Sequence, residues 1–438
     1  MEIDYLSCGQ KKLLVMKLLS SFLFCFLYIS TNIFSQSDFR EEYQKAITAY
    51  ESGDYHTFMK GLEASNSLRP NHRVILYNLA VAYIKNDMPE EALSILEYRA
   101  SFYAVPDFDE DEDFKPIRNR KEYKGLIETI EKRNKTISSS TLLFEFEEKG
   151  FHTEGFAVHP KSETIFISDV RCGLINTISI DGTENENFMD LKKEGFWGAF
   201  GMKIDPIDSN ILWVTTSVLP QFCEYNEEID GSAAVLKIDI TKKEILQSYT
   251  TEGDHIFGDL TISESGDVFI TDSNEPVIYI LKKGSKNIES YLSSEKFFNL
   301  QGLDLGKNGY LYVSDYIMGI LKIDLSDRSV QQLLESNNQL LRGTDGMYFA
   351  NNSLILLQNG TSPFKVSRIS IDKNGNAIPN TLAIIDSNAP FLNEPTLGAV
   401  FNNKLYFVAN SPWSYYDVDN KPMLNEWPVL QIRTASVD

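Results

Sequence analysis

Four residues recur at one place in a repeated pattern, and all four carry oxygen atoms suited to acid, base or metal-ion chemistry. Glu154, Asp259, Gln301 and Asp345 stand at the heads of short apolar runs, in TEGFAV, FGDLTI, LQGLDL and TDGMYF. Two carboxylates brought together raise each other's proton affinity, so one can act as a general acid or base near neutral pH. A second polar set ends the strand that follows each run: Asp169, Asp272, Asp315, Gln358, Asn359 and Asn410. The competing reading is structural, with channel-mouth acids that hold loops by hydrogen bonds or face Arg342. The sequence has no G-x-S-x-G nucleophile elbow. His152 and His255 flank strand starts and His159 lies in a turn, so all three read as loop or satisfied histidines rather than bases.

The elements that must position these residues follow from the repeat itself. Six copies of one unit span residues 154–434, at a period of roughly 40 to 50 residues, the range of propeller blades and solenoid repeats. Each unit has a first strand, a turn, and a second strand ending in a small polar pair, as in IFISD, VFITD, LYVSD and ILLQN. A third strand closes it, as in INTISI, AVLKIDI, VIYIL, ILKIDL, KVSRISI and VLQIR. Such small sheets cannot bury both faces alone and must stack on their neighbours. Ring closure leaves only short, protected edges, so the predicted fold is mainly β, a six-bladed β-propeller. In antiparallel blades the start of strand one and the end of strand two share one channel mouth, which is why both polar sets matter.

Blade six runs out of sequence after VLQIRT, and the orphan strand TLLFEFEE at residues 141–148 is expected to complete it beside residues 429–434. The preceding KRNKTISSS reads as a polar linker. Residues 37–135 read as a small all-α domain resembling a tetratricopeptide pair, because Gly53 and Asp87, and Phe58 and Ala92, are separated by the same 34-residue step. The segment DFKPIRNRKEYKGLIETIEK supplies a capping helix, and the acidic DFDEDED before it reads as a solvated loop. Residues 1–36 have the three-part form of a secretory signal: Lys11, Lys12 and Lys17, then the apolar LLSSFLFCFLYIS, then small polar residues. The expected organisation is therefore signal 1–36, helical domain 37–135 and propeller 136–438, in a secreted or periplasmic protein with no stable membrane span after signal removal. Cys172 and Cys223 follow the second strands of adjacent blades, where they stand either as two free thiols or as a disulfide.

The chain of 438 residues has 62 acidic and 41 basic side chains, a formal charge of −21. That balance excludes nucleic acid as an expected partner, since phosphate binding needs clustered Lys and Arg.

The blades TEGFAVHPKSETIFISDV, FGDLTISESGDVFITDS, LQGLDLGKNGYLYVSDY and GTDGMYFANNSLILLQNG resemble the regucalcin, gluconolactonase and luciferin-regenerating enzyme family over about residues 140–438. The resemblance implies a divalent metal in the central channel and, for many members, lactone hydrolysis. Glu154 matches the blade-one metal carboxylate, and Asp345 matches the blade-five metal aspartate that is also the favoured base. Two positions depart from the family pattern: Gly258 and Asp259 stand where blade three has Asn before Asp, and Gln301 stands where blade four has Asn before Gly. The expected metal set is Glu154, Gln301 and Asp345, hard oxygen donors suited to calcium or magnesium, with Asp345 or Asp259 activating water.

The longest loop of that mouth, ANSPWSYYDVDNKPMLNEWP, offers Trp413, Tyr415 and Tyr416 to a lactone or sugar-like ligand, or else to cover the propeller rim. Gln358 and Asn359 in blade five are the second expected substrate contacts. Two functions stand open: a metal-dependent lactone or ester hydrolase, and a non-catalytic ligand- or protein-binding propeller whose helical repeats hold a peptide partner. Retention of Glu154 and Asp345 favours the first, and loss of the Asn ligands favours the second.

Overall fold

The computed structural model describes residues 36–335 and 340–438. The predicted secretory signal lies outside the described residues, except for Gln36. Among the described residues, no helix is long and apolar enough to cross a membrane.

The helical unit comprises α1 (Gln36–Ser52), α2 (Tyr55–Leu68), α3 (Arg73–Lys85), α4 (Pro89–Ala100) and α5 (Lys121–Arg133). The 34-residue step is visible in the backbone: Gly53 and Asp87 end α1 and α3 with φ of 80° and 58°, the left-handed conformation that stops a helix. Residues one step apart occupy equivalent buried places, as with Ala46 and Ala80, or Leu62 and Leu96. The acidic stretch before α5 is exposed at Asp107, Asp109, Glu110 and Glu112, as a solvated loop is, and its alternate residues also bond the helical unit. Asp107 takes a bidentate bond from Arg99, Asp109 accepts from Tyr123 and Asp111 accepts from Tyr77. Asp113 completes the set by pairing with Lys85 at 2.7 Å. The alternation that looks like a charge run is a row of acceptors for side chains of the helical unit.

Six antiparallel sheets make the propeller. Two short strands precede the blades, β1 (Ile137–Ser138) and β2 (Thr141–Phe146). Blade one holds β3 (Thr153–Val158), β4 (Ile165–Asp169), β5 (Leu174–Ile178) and β6 (Asn185–Asp190). Blade two holds β7 (Gly198–Ile204), β8 (Ile211–Ser217), β9 (Ala233–Asp239) and β10 (Glu244–Tyr249). Blade three holds β11 (Phe257–Ile262), β12 (Val268–Asp272), β13 (Val277–Leu281) and β14 (Glu289–Ser293). Blade four holds β15 (Leu300–Leu305), β16 (Tyr310–Asp315), β17 (Gly319–Asp324) and β18 (Val330–Gln332). Blade five holds β19 (Met347–Ala350), β20 (Ser353–Gln358), β21 (Lys365–Ser370) and β22 (Ala383–Ser387). Blade six holds β23 (Gly398–Phe401), β24 (Lys404–Val408) and β25 (Leu430–Ser436).

The chain ends meet in blade six, where β2 pairs antiparallel with β25 and Phe144 lies opposite Ile432. The segment read as a linker is only partly one: β1 adds a fifth strand to blade five by pairing with β22. Asp386 secures it, its Oδ1 accepting the backbone N–H groups of Ser139 and Ser140. The core lies between blades rather than within them. Six apolar clusters each join two neighbouring blades, the last joining Phe156 and Ile167 of blade one to Val408 and Ile432 of blade six. Second strands are therefore buried on both faces, which explains apolar runs such as ILWV and LILL.

Candidate functional site

The innermost strands are irregular where the expected site residues lie. In blades one to four the pairing between strands one and two shifts register within the first residues: between Thr153 and Phe156, Ala199 and Met202, Phe257 and Leu260, and Leu300 and Leu303. Glu154, Phe200, Asp259 and Gln301 all fall inside these bulges, a device that re-aims side chains. Glycines make the bulges possible by letting adjacent inner strands approach. A methyl group on Gly155 would lie 1.9 Å from the Phe200 carbonyl oxygen, and one on Gly302 would lie 2.4 Å from that of Asp345. The Gly302 N–H donates to that same Asp345 oxygen at 2.9 Å.

The small polar pair that ends strand two has two structural jobs. A hydroxyl in or just after the pair reaches the next blade: Ser168 donates to the Phe200 carbonyl at 2.9 Å, Ser273 to Leu300 at 3.0 Å and Ser314 to Thr344 at 2.6 Å. Ser411 closes the ring from blade six to blade one, donating to the Thr153 carbonyl at 3.1 Å. The acid of the pair ties its own blade: Asp169 accepts backbone N–H groups from His152, Arg171 and Cys172. Asp315 does the same for Phe298, Asn299, Ile317 and Met318. Asp272 accepts from Ile256, Asn274 and Glu275 and also bonds His255 Nδ1 at 2.7 Å. The strand-two acids are thus clasps for the turns around them, and Asp169 holds the backbone two residues before Glu154.

Glu154 and Asp345 come together. Both are enclosed by protein, Asp345 keeping a partly exposed edge. Burial raises the proton affinity of each, and the Asp345 charge adds to the rise on Glu154. Asp345 is pushed up to about 6. Neither carboxyl has an ion-pair partner among the described residues. Asn359 Nδ2 donates to Asp345 Oδ2 at 2.6 Å, and Tyr316 in turn donates to Asn359 Oδ1 at 2.9 Å. Trp413 Nε1 donates to Glu154 Oε2 at 3.3 Å. The Thr396 hydroxyl faces both carboxyls and lowers each, yet it is in proper hydrogen-bonding geometry with neither and is buried without a partner.

The remaining expected residues fall differently. Asp259 is buried, its Oδ1 accepting the Leu260 N–H at 2.8 Å, and burial raises it to about 6 against the pull of Lys203. Gln301 spends its amide N–H on Asn299 at 2.9 Å and leaves its Oε1 without a hydrogen-bond donor among the described residues, 3.9 Å from where a Gly258 side chain would start. Gln358 is fully buried and fully engaged: its amide donates to the carbonyls of Leu340 and Arg342, and its oxygen accepts from Ser367. It anchors blade five and presents nothing to a ligand. Tyr416 hydrogen-bonds His152 Nδ1 at 2.7 Å, and Tyr415 is half-buried in a short turn with Trp413. The His152 ring is wholly buried against Trp413, and burial holds it neutral, down to about 3.

Two site residues escaped the sequence reading. In blade six the polar group that meets the carboxyls is Thr396, just before β23. Glu394, raised by burial and then by the Asp345 charge, also lies near the pair. The signal was present in the polar NEPT segment before β23, which departs from the strand register of the other blades.

No protein-family model matches the chain, and no curated protein does. Among solved structures, the chain is similar to a gluconolactonase from Xanthomonas campestris at 13% identity and a TM-score of 0.45, over 68% of this chain and 90% of that one. It is also similar to the PQQ-bound aldose sugar dehydrogenase of Streptomyces coelicolor, at 12% identity and a TM-score of 0.47, over 68% of this chain and 98% of that one. A catalytically inactive virginiamycin B lyase from Staphylococcus aureus is similar at 12% identity and a TM-score of 0.43, over 67% and 97% of the two chains. Each of these likenesses concerns the fold alone.

Proposed function

We propose that the propeller is an exported hydrolase of small lactones or esters, working at the channel mouth with a divalent cation held by Glu154 and Asp345. The observation that carries this reading is the convergence of two enclosed, unpaired carboxyls on the orphaned Thr396 hydroxyl. Uncompensated buried acids are costly, and a hard cation removes that cost. The donors fit calcium or magnesium, being oxygens throughout, with Gln301 Oε1 the third candidate. When bound, such an ion supplies Lewis-acid polarisation of the substrate carbonyl. Asp345, oriented by Asn359, accepts the proton of the attacking water, and Asp259 is the alternative base. Trp413 fixes the second oxygen of Glu154 and, with Tyr415 and Tyr416, offers apolar faces with polar tips to a sugar-like ring.

A second reading, ligand binding without turnover, draws on Gly258, which offers no side chain where a donor is expected, and on the helical repeats as a peptide-binding unit. Calorimetric titration with calcium and magnesium, followed by lactonase and esterase assays, separates the two. The hydrolase reading expects heat and turnover that both vanish in Asp345→Ala. Heat without turnover across lactones and esters selects the binding reading, and no heat removes the cation from both.

A further inference from the structure

The turn after β4 and the long loop of blade two bring Cys172 and Cys223 together. Asp169 Oδ2 fixes the Cys172 backbone by accepting its N–H at 3.0 Å. From the other side the Cys223 N–H donates to the Arg171 carbonyl at 2.7 Å, so the two cysteines adjoin across the gap between blades. Their side chains are near enough for each thiol to shift the other's proton affinity. Two cations attend them: Arg171 Nη1 donates to Cys172 Sγ at 3.5 Å, and Lys192, held by Glu224 at 3.1 Å, places its charge beside Cys223. Cys172 is half-buried and Cys223 exposed.

This arrangement has the parts of a thiol exchange centre: an accessible sulfur, cations that favour its thiolate, and a second, more sheltered thiol beside it. The neighbouring Cys172 thiol, opposed by burial and reinforced by Lys192 and Arg171, brings Cys223 down to about 6. Cys172 is raised, first by Cys223 and then by burial. The asymmetry assigns the attacking role to Cys223 and the resolving role to Cys172. None of the residues proposed for hydrolysis takes part.

We propose that Cys172 and Cys223 form a reversible disulfide by exchange with low-molecular-weight aliphatic disulfides of the glutathione type. The Cys223 thiolate attacks the external disulfide, forming a mixed disulfide and releasing one thiolate. The Cys172 sulfur then gives up its proton, attacks the Cys223 sulfur and releases the second thiolate. Two protein thiols are oxidised to one disulfide, and one external disulfide is reduced to two thiols. The bond would tie the blade-one turn, whose Asp169 also holds the His152 N–H, to the blade-two loop.

The test uses the full chain with Cys8→Ser and Cys25→Ser, equilibrated in mixtures of reduced and oxidised glutathione, then alkylated and mapped by peptide mass. The expected product is the Cys172–Cys223 disulfide, returned to thiols by excess reduced glutathione. Cys172→Ser should instead accumulate a glutathione adduct on Cys223, and Cys223→Ser should form neither product. Serine matches cysteine in size, so both variants keep the fold. The rate of Cys223 alkylation should be half-maximal near pH 6 and move towards the ordinary thiol value of about 8.5 in Lys192→Gln. The proposal is overturned by a stable Cys223 adduct beside an intact Cys172, by adducts that form first on Cys172, or by no reaction at all.

Discussion

The closest approach beside Asp345 gives the most quantitative prediction. In Gly302→Ala the new methyl would sit 2.4 Å from the Asp345 carbonyl oxygen and 2.8 Å from the Met347 nitrogen, both backbone atoms that cannot rotate away. Ordinary contact begins at 3.4 Å, so the inner strands of blades four and five must part by about 1 Å. Overpacking of this kind costs roughly 1–3 kcal/mol, and losing the Gly302 to Asp345 backbone bond adds about 1. The expected loss is about 2–4 kcal/mol, a fall in melting temperature of roughly 4–8 °C for a propeller of this size. Because the atom displaced belongs to Asp345, the cation titration should weaken in parallel. Gly125→Ala is the control: its site in α5 is open, so the same substitution should stabilise the helical unit by about 0.5–1 kcal/mol. Thermal and urea unfolding of both variants checks the signs. Were Gly302→Ala to melt within about 1 °C of the parent and titrate normally, close approach would not be what positions Asp345.

Three further outcomes follow from the ring and its clasps. Ser411→Ala removes the hydroxyl that joins blade six to the peptide before Glu154, and urea midpoints should show a loss of about 1–3 kcal/mol. Deleting residues 430–438 strips out β25 and leaves β2 without its partner, so the propeller should lose its cooperative unfolding transition in calorimetry. His255 gives the pH dependence: burial lowers it, but the Asp272 bond, the Glu252 carbonyl and the charges of Asp272 and Glu275 outweigh that and raise it above its ordinary value. Its stabilising effect is therefore full below about pH 6.5 and lost as pH rises through the raised value. Urea midpoints of the parent and His255→Gln should differ most in acid and converge in alkali, and a constant gap would refute the linkage.

The fold was legible because the repeat is written in strand chemistry. Second strands such as ILWV and LILL are apolar on both faces, which only a stack of sheets can satisfy, and a sixth blade short of one strand is completed by TLLFEFEE. The site was legible only as a ring of positions. Sequence gave the polar heads Glu154 and Asp345, but it could not give the bulges, whose extra residue moves a side chain without changing its type. Nor could it give Thr396, which stands in the polar NEPT segment before β23, outside the repeated strand pattern. Asp169, Asp272 and Asp315 looked like site acids because a carboxylate that caps three backbone N–H groups and one that awaits a ligand are the same letter. The DFDEDED run shows the same limit, since nothing in it names Tyr77, Tyr123 and Arg99 as its partners.

If the mouth is built for a ligand, stability and function should oppose each other there. Glu154 and Asp345 are enclosed, mutually repelling and without ion-pair partners among the described residues, so their charged forms weaken the fold. The sign follows from the raised proton affinity: each group binds its proton more tightly folded than unfolded, so its penalty appears as pH rises through the folded value. For Asp345, raised from 3.8 to about 6, the full penalty is on the order of 3 kcal/mol above about pH 7, with Glu154 adding in the same direction. The variant Glu154→Gln with Asp345→Asn keeps the shapes and removes both charges. It should melt several degrees above the parent at pH 8, lose that advantage near pH 4, and no longer bind calcium or magnesium. Added calcium should raise the melting temperature of the parent alone. A double variant less stable than the parent at pH 8 would mean that the two acids hold the ring together through bonds to their neighbours, and the mouth would then be architecture rather than a site.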